Sequence, residues 1–321
     1  MASGQWYPPE WPGRIRALAS GSLTVSTPRR AATVMLLRDA PVAEVPAADA
    51  SVADAPAVGA PAAGSGTEAA ARLTVHMLRR RTTMPFAGGA YAYPGGGVDP
   101  RDDDVLVGWA GPSREQWAVR LGVDEAAAQA IVCAAVRETF EEAGVLLAGP
   151  APDAVVGDIT GADWEADRAA LVAHELSFAQ FLERRGLLLR SDLLGAWARW
   201  ITPEFEPRRY DTWFFVAALP TGQRTAGTSD EADRTVWIAP SEAAARYDRG
   251  ELLMLPPTIA ALRELAGHST VDEVLGAASG RDLTPVLARA RLEDDEVVLS
   301  WPGHEEFTRR LPAHAPGEGS A

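Results

Sequence analysis

Arg137-Glu138-Thr139-Phe140-Glu141-Glu142-Ala143-Gly144-Val145 places three carboxylates and an arginine at the end of an apolar stretch that starts at Ala126. The stretch reads as a helix, with Asp124 as its N-cap and Gly144 as a left-handed stop. At about 100° per residue, Glu138 and Glu142 stack one turn apart and Glu141 lies beside them. Three like charges on one face repel, and at a helix C-terminus they also oppose the backbone dipole. A hard divalent cation such as Mg2+ or Mn2+ among the oxygens offsets both costs. The plain alternative is a solvated helix face on which Arg137 pairs with Glu141.

About forty residues upstream, Tyr93-Pro94-Gly95-Gly96-Gly97 forms a strand exit whose small residues let backbone groups approach a ligand closely. Arg-Glu-x-x-Glu-Glu-x-Gly plus an aliphatic residue, downstream of Pro-Gly-Gly, resembles the nudix box of the nudix hydrolase superfamily. The resemblance implies an α/β fold: a nudix-type α/β/α sandwich with a mixed sheet, helical insertions and a C-terminal extension. It also implies a metal-dependent hydrolase of diphosphates linked to another moiety. Glu138, Glu141, Glu142 and the carbonyl of Gly96 fall on its metal positions, and Arg137 orients a carboxylate. Glu231, six residues before Trp237, matches a loop that supplies a further glutamate as ligand or general base.

The box departs from the common form in three places. The segment between Gly96 and Arg137 is much longer, Gln129 stands eight residues before Arg137 where a Glu is usual, and Thr139 replaces an aliphatic. Asp99, Asp102, Asp103, Asp104, Asp124 and Glu125 are nearby acids, none of which the spacing singles out as a substitute. The long box, with Trp200 to Phe215, resembles the branch of peroxisomal coenzyme A diphosphatases and their bacterial relatives. Residues 82–86 lack the Arg before Gly that an additional coenzyme A motif requires. A nudix-fold module that binds or senses a nucleotide is the alternative reading.

Thirty basic against forty-four acidic side chains give a formal charge of -14, which argues against a nucleic-acid or anionic-membrane surface. A small-molecule diphosphate is the expected partner, and the resemblance allows a homodimer. No apolar window approaches the roughly twenty residues of a transmembrane helix, and Met1 to Arg14 has no signal-like core, so a cytoplasmic protein is expected. The single cysteine, Cys133, sits among apolar helix positions and is expected to pack.

The expected organisation is a flexible 1–27, a hydrolase domain over 28–266 and a packed extension over 267–321. Within the domain, 41–70 is an Ala/Pro-rich excursion expected to be disordered, 98–123 is an insertion in the box, and 160–195 is a helical cap. Strands are expected over 31–38, 73–80, 212–219 and 235–238, with another beginning at 145–147. Helices are expected over 126–143, within 163–185, from 241, and from 256 to about 265.

Substrate contacts are expected from Arg80 after a strand, from Tyr93 and Gly95 at the glycine exit, and from Arg209 and Trp213 near the cleft mouth. For Trp213 a core position is the stronger reading, because it opens an apolar strand. The five histidines show no metal spacing. No phosphate-binding loop, nucleophile elbow or Cys-x-x-Cys pair is present.

Overall fold

Val34, Met35, Leu36 and Leu37 are all fully buried, so this strand carries apolar side chains on both faces and must lie inside a covered sheet. The computed structural model describes residues 8–41, 71–83, 88–104, 106–227, 232–294, 296–301 and 309–311. The excursion expected to be disordered lies almost wholly outside these residues.

In chain order the first elements are α1 (Trp11–Ala19), β1 (Arg29–Pro41), β2 (Ala71–Arg80), β3 (Tyr91–Ala92) and β4 (Gly95–Gly97). A 3-10 turn (Pro100–Asp103), β5 (Trp109–Ala110) and α2 (Arg114–Leu121) precede α3 (Glu125–Ala143). Then follow β6 (Ala148–Gly149), α4 (Ala162–Val172), α5 (Phe178–Arg185), β7 (Leu188–Arg190), β8 (Gly195–Ile201), β9 (Tyr210–Ala218) and β10 (Ala232–Ile238). The chain continues through α6 (Pro240–Asp248), α7 (Pro256–Leu265), α8 (Val271–Ala278), β11 (Val286–Leu287), β12 (Arg289–Glu293), β13 (Glu296–Ser300) and β14 (Arg309–Leu311).

Among the described residues, the main sheet has the order β10-β2-β1-β9-β8-β11, with β3 on β2 and β4 on β1. It is mixed: β1 runs parallel to β9 and antiparallel to β2 and β4. Alternation along β1 sends Val34 and Leu36 to a layer with Ile131 and Val132 of α3, and Met35 and Leu37 to a layer with Ile259 and Leu262 of α7. The result is the expected three-layer sandwich, with α3 on one face and α7 and α8 on the other.

Three local expectations change. Residues 8–27 include α1, whose Ile15 is buried and whose Trp11 ring meets Phe205 edge-on at 5.0 Å. Pro12 sits in the first turn, where a missing N–H costs nothing. Trp11, Ile15 and Leu18 then form an apolar stripe at helical spacing. Val145 to Leu147 is buried and the strand begins only at Ala148; the Leu147 carbonyl accepts the Arg190 N–H of β7 at 3.0 Å, while Gln223 accepts from the Leu146 N–H at 2.8 Å and donates to its carbonyl at 2.9 Å. The third expectation, Trp213 as a substrate contact, is taken up with the site. At the other end, Val297, Leu299 and Trp301 are buried in the α7-side core, with Trp301 against Trp200.

Candidate active site

The geometry of the box follows from α3. Asp124 accepts the Ala127 N–H at 2.8 Å, and Gly144 closes the helix at φ 65° with its N–H on the Phe140 carbonyl. From Ala127 to Val136 every residue is buried, so the apolar half seats the helix on the sheet and carries the charged turns to the glycine strand. Thr139, in the usual aliphatic position, is fully buried because its hydroxyl donates to the Ala135 carbonyl at 2.7 Å.

Arg137 is the hub. Its Nε and Nη2 each donate at 2.9 Å to one oxygen of Asp102, and Nη2 also reaches the Gly97 carbonyl at 3.0 Å. Its Nη1 donates to Glu138 Oε1 at 2.8 Å and lies 3.3 Å from both Glu141 oxygens. Burial opposes the Arg137 charge, but Asp102 and the neighbouring glutamates outweigh it and hold the pKa above the ordinary arginine value. Burial pushes Asp102 up while Arg137 pulls it back; the two-point geometry makes this an ion pair.

Glu142 Oε2 accepts the Gly95 N–H at 2.8 Å, so β4 and α3 are joined across the site. Gly96 lies flat against Glu138: a Cβ added there would come within 2.5 Å of Glu138 Oε1. Only glycine permits this approach. Burial is the first cause that raises the Glu138 pKa to about 7, with Arg137 opposing and Glu141 adding. From α4, Arg168 donates to the Glu141 carbonyl at 2.5 Å, supplying a cation at the acidic C-terminal end of α3.

The donors fit a hard divalent cation in kind: carboxylates of Glu138, Glu141 and Glu142 beside the glycine backbone, with Glu138 and Glu141 both raised by burial. They do not yet converge. Among the described residues, no group of three or more His, Cys, Asp or Glu side chains already surrounds a point that could hold a metal. Their oxygens are turned to Arg137 and Gly95.

Other expected contacts part company with this cluster. Trp213 is 1% exposed, donates to the Leu121 carbonyl and carries Arg199 on its ring; it belongs to the core, as its apolar strand dictated. Tyr93 is likewise buried, with its hydroxyl donating to the Thr258 carbonyl at 3.1 Å and burial raising its pKa. Arg209 spends its guanidinium on the carbonyls of Thr202 and Ser26, tying two chain segments together. Trp213 and Tyr93 commit their polar atoms inside the core, and the buried Arg209 commits its Nε and Nη1 to backbone carbonyls. Arg80 differs: it is half-buried, and its Nε is buried with no hydrogen-bond partner among the described residues. Glu231 lies outside the described residues.

Asp102 and Arg168 were not singled out by the sequence. The signal for Asp102 was local: Asp99 and Asp102 cap the 3-10 turn reciprocally, a pattern that places Asp102 at a fixed orientation. No local signal marks Arg168.

A profile of the NUDT19 Nudix domain matches residues 123–265. "Acyl-coenzyme A diphosphatase NUDT19" of Gallus gallus is 30% identical over 171 residues, covering 47% of this chain and 44% of that protein. "Putative nudix hydrolase 7" of Caenorhabditis elegans is 29% identical, covering 60% and 55%. The chain thus spans about half the length of the curated relatives it matches. A solved NUDIX hydrolase from Alicyclobacillus acidocaldarius aligns over 82% of this chain and 100% of that one at TM-score 0.56 and 24% identity, a likeness of fold.

Proposed function

We propose that this chain, whose residues 123–265 match a Nudix-domain profile, is a metal-dependent nudix hydrolase that cleaves a diphosphate linkage in a nucleoside-diphosphate-linked substrate, with coenzyme A or an acyl-coenzyme A first among candidates. The observation that carries this reading is the Arg137-centred grouping of Glu138, Glu141 and Glu142 against the backbone of Gly95 and Gly96. The names of the curated relatives support coenzyme A as the first substrate to try.

Glu138, Glu141, Glu142 and the Gly96 carbonyl would hold Mg2+ or Mn2+. Such a cation neutralises the charge that builds on a diphosphate during hydrolysis and makes water more acidic. The chain's own groups do the rest. Arg137 holds Glu138 and Glu141 in register, and a box glutamate or Glu231 would take the proton of the attacking water. The half-buried Arg80, whose Nε has no hydrogen-bond partner among the described residues, is the candidate for a phosphate contact. Glu231 remains a candidate for a further carboxylate.

A nucleotide-binding module without turnover is the second reading, favoured by Gln129 and by carboxylates that do not converge among the described residues. No helix among the described residues is long and apolar enough to cross a membrane, and the net charge of -14 supports a small-molecule partner over nucleic acid. We keep a cytoplasmic location and a homodimer as parts of the proposal.

The test is mass spectrometry of products after incubation with coenzyme A, acyl-coenzyme A, dinucleotides and nucleotide sugars, with Mg2+, Mn2+ or EDTA. Metal-dependent release of 4'-phosphopantetheine and adenosine 3',5'-bisphosphate from coenzyme A is the expected result. Cleavage of another panel member keeps the reaction and replaces the substrate. Saturable binding without turnover of any panel member overturns the hydrolase in favour of the binding module.

A further inference from the structure

We propose that Asp102, brought in by the 98–123 insertion, is the positioning residue for the box: it orients Arg137, and through Arg137 the glutamates, in place of the carboxylate absent at Gln129. This inference rests on the hydrolase reading.

The contact is two-pointed and enclosed. Arg137 Nε and Nη2 each meet a separate oxygen of Asp102 at 2.9 Å, with the two residues 5% and 1% exposed. A fork held at two points fixes the plane of the guanidinium as well as its position. With that plane set, Nη1 faces Glu138 and Glu141, and Nη2 keeps the Gly97 carbonyl at 3.0 Å. Asp102 is itself held: its Oδ2 accepts the Asp99 N–H at 2.8 Å inside the reciprocal cap of the 3-10 turn. The chain of constraint therefore runs from the turn to Asp102, to Arg137, and on to the glutamates and the glycine strand.

Gln129 is committed elsewhere. Its Nε2 donates to the Asp104 carbonyl at 2.8 Å and its Oε1 accepts from Arg114 Nε. A side chain facing one acceptor and one donor suits an amide, and a carboxylate has no donor for the Asp104 carbonyl. Gln129 thus anchors the exit of the turn that carries Asp102. The long spacing in the box and the loss of its usual Glu become one change: the orienting carboxylate comes from 35 residues before Arg137.

Asp102→Asn keeps the shape and the oxygen for Asp99 but removes the charge. Outer-shell partners of this kind are worth about 10- to 100-fold in activity or metal affinity. The full chain is assayed for kcat and KM on whichever panel substrate is cleaved, for Mn2+ affinity by electron paramagnetic resonance, and for thermal unfolding. We expect D102N to fold, to lose about 10- to 100-fold in kcat with little change in KM, and to bind Mn2+ about tenfold more weakly. Because Asp102 acts through Arg137, the double variant D102N/R137Q should fall no further than R137Q alone. A folded D102N with wild-type kcat and Mn2+ affinity overturns the proposal, as do losses that multiply in the double variant. If D102N does not fold, Arg137→Lys, which keeps the charge but not the fork, reads the same clamp; wild-type values there overturn it. Wild-type protein that turns nothing over sinks the hydrolase reading instead, while the Mn2+ titration still decides the role of Asp102.

Discussion

The two halves of α3 are opposite in chemistry: the first is wholly buried, and in the second Glu138 and Glu142 are half-buried. From Ala127 to Val136, every side chain but Gln129 is apolar or a thiol, and the backbone, the packing and the hydrophobic pattern all favour the same structure. From Arg137 to Glu142 the same helix gathers one positive and three negative side chains beneath the sheet rim, at the end where carboxylates oppose the dipole. The first half satisfies every local rule and serves the fold. The second violates several, and such violations are expected where function demands them.

Removing charge from the second half should cost activity rather than stability. Glu142→Gln keeps an acceptor for the Gly95 N–H, so we expect melting within a few degrees of wild type and loss of about a thousandfold in kcat, roughly 4 kcal/mol of barrier. Near-normal turnover by that folded variant would erase the contrast between the halves.

The apolar half should show the reverse. Ile131→Ala, at a fully buried site against the sheet, is expected to lower unfolding free energy by about 3 kcal/mol, while kcat per folded molecule stays unchanged. Chemical denaturation with active-site titration checks both parts.

A smaller effect separates burial from site chemistry. His76 is fully buried on β2, and burial first, then the Arg38 charge, lowers its pKa to about 4 from a reference of 6.5. The folded protein therefore resists protonating His76, and the unfolded chain does not. Stability from this residue is complete above pH 6.5 and is lost as pH falls toward 4, amounting to about 2 kcal/mol at pH 5. In His76→Phe that component of the acid loss should vanish from denaturation curves; an unchanged pH slope would show that the ring is already protonated or accessible. The smallest change expected is at Cys133, buried in the apolar half with its thiol pKa pushed up by burial. Cys133→Ala should cost about 1 kcal/mol and leave kcat alone, and a kinetic defect would extend the functional half further back along α3.

Much of this was legible in the chain because it depends on neighbours. Strands β1, β2, β9 and β10 and helices α3 to α7 announce themselves through runs, alternation and caps. The N-terminal α1 was missed because its apolar stripe closes on Phe205, far along the sequence, while Pro12 in its first turn is tolerated there. Trp213 and Tyr93 show the same weakness at the site: their types suit both a ligand and a core, and only the layers placed over them decide.

The sequence by itself determined the helix that carries the box, its two caps, the three glutamates on one face, and the glycine exit that must lie close to something. Each follows from spacing within a few turns or strands, where geometry is set by the backbone. Only the tertiary structure decided that Gly96 lies against Glu138, that Gly95 bonds Glu142, and that Arg137 takes Asp102 across the insertion. Those partners are separated by loops whose closure is governed by the packing of the whole α3 face, so no local pattern could pair them.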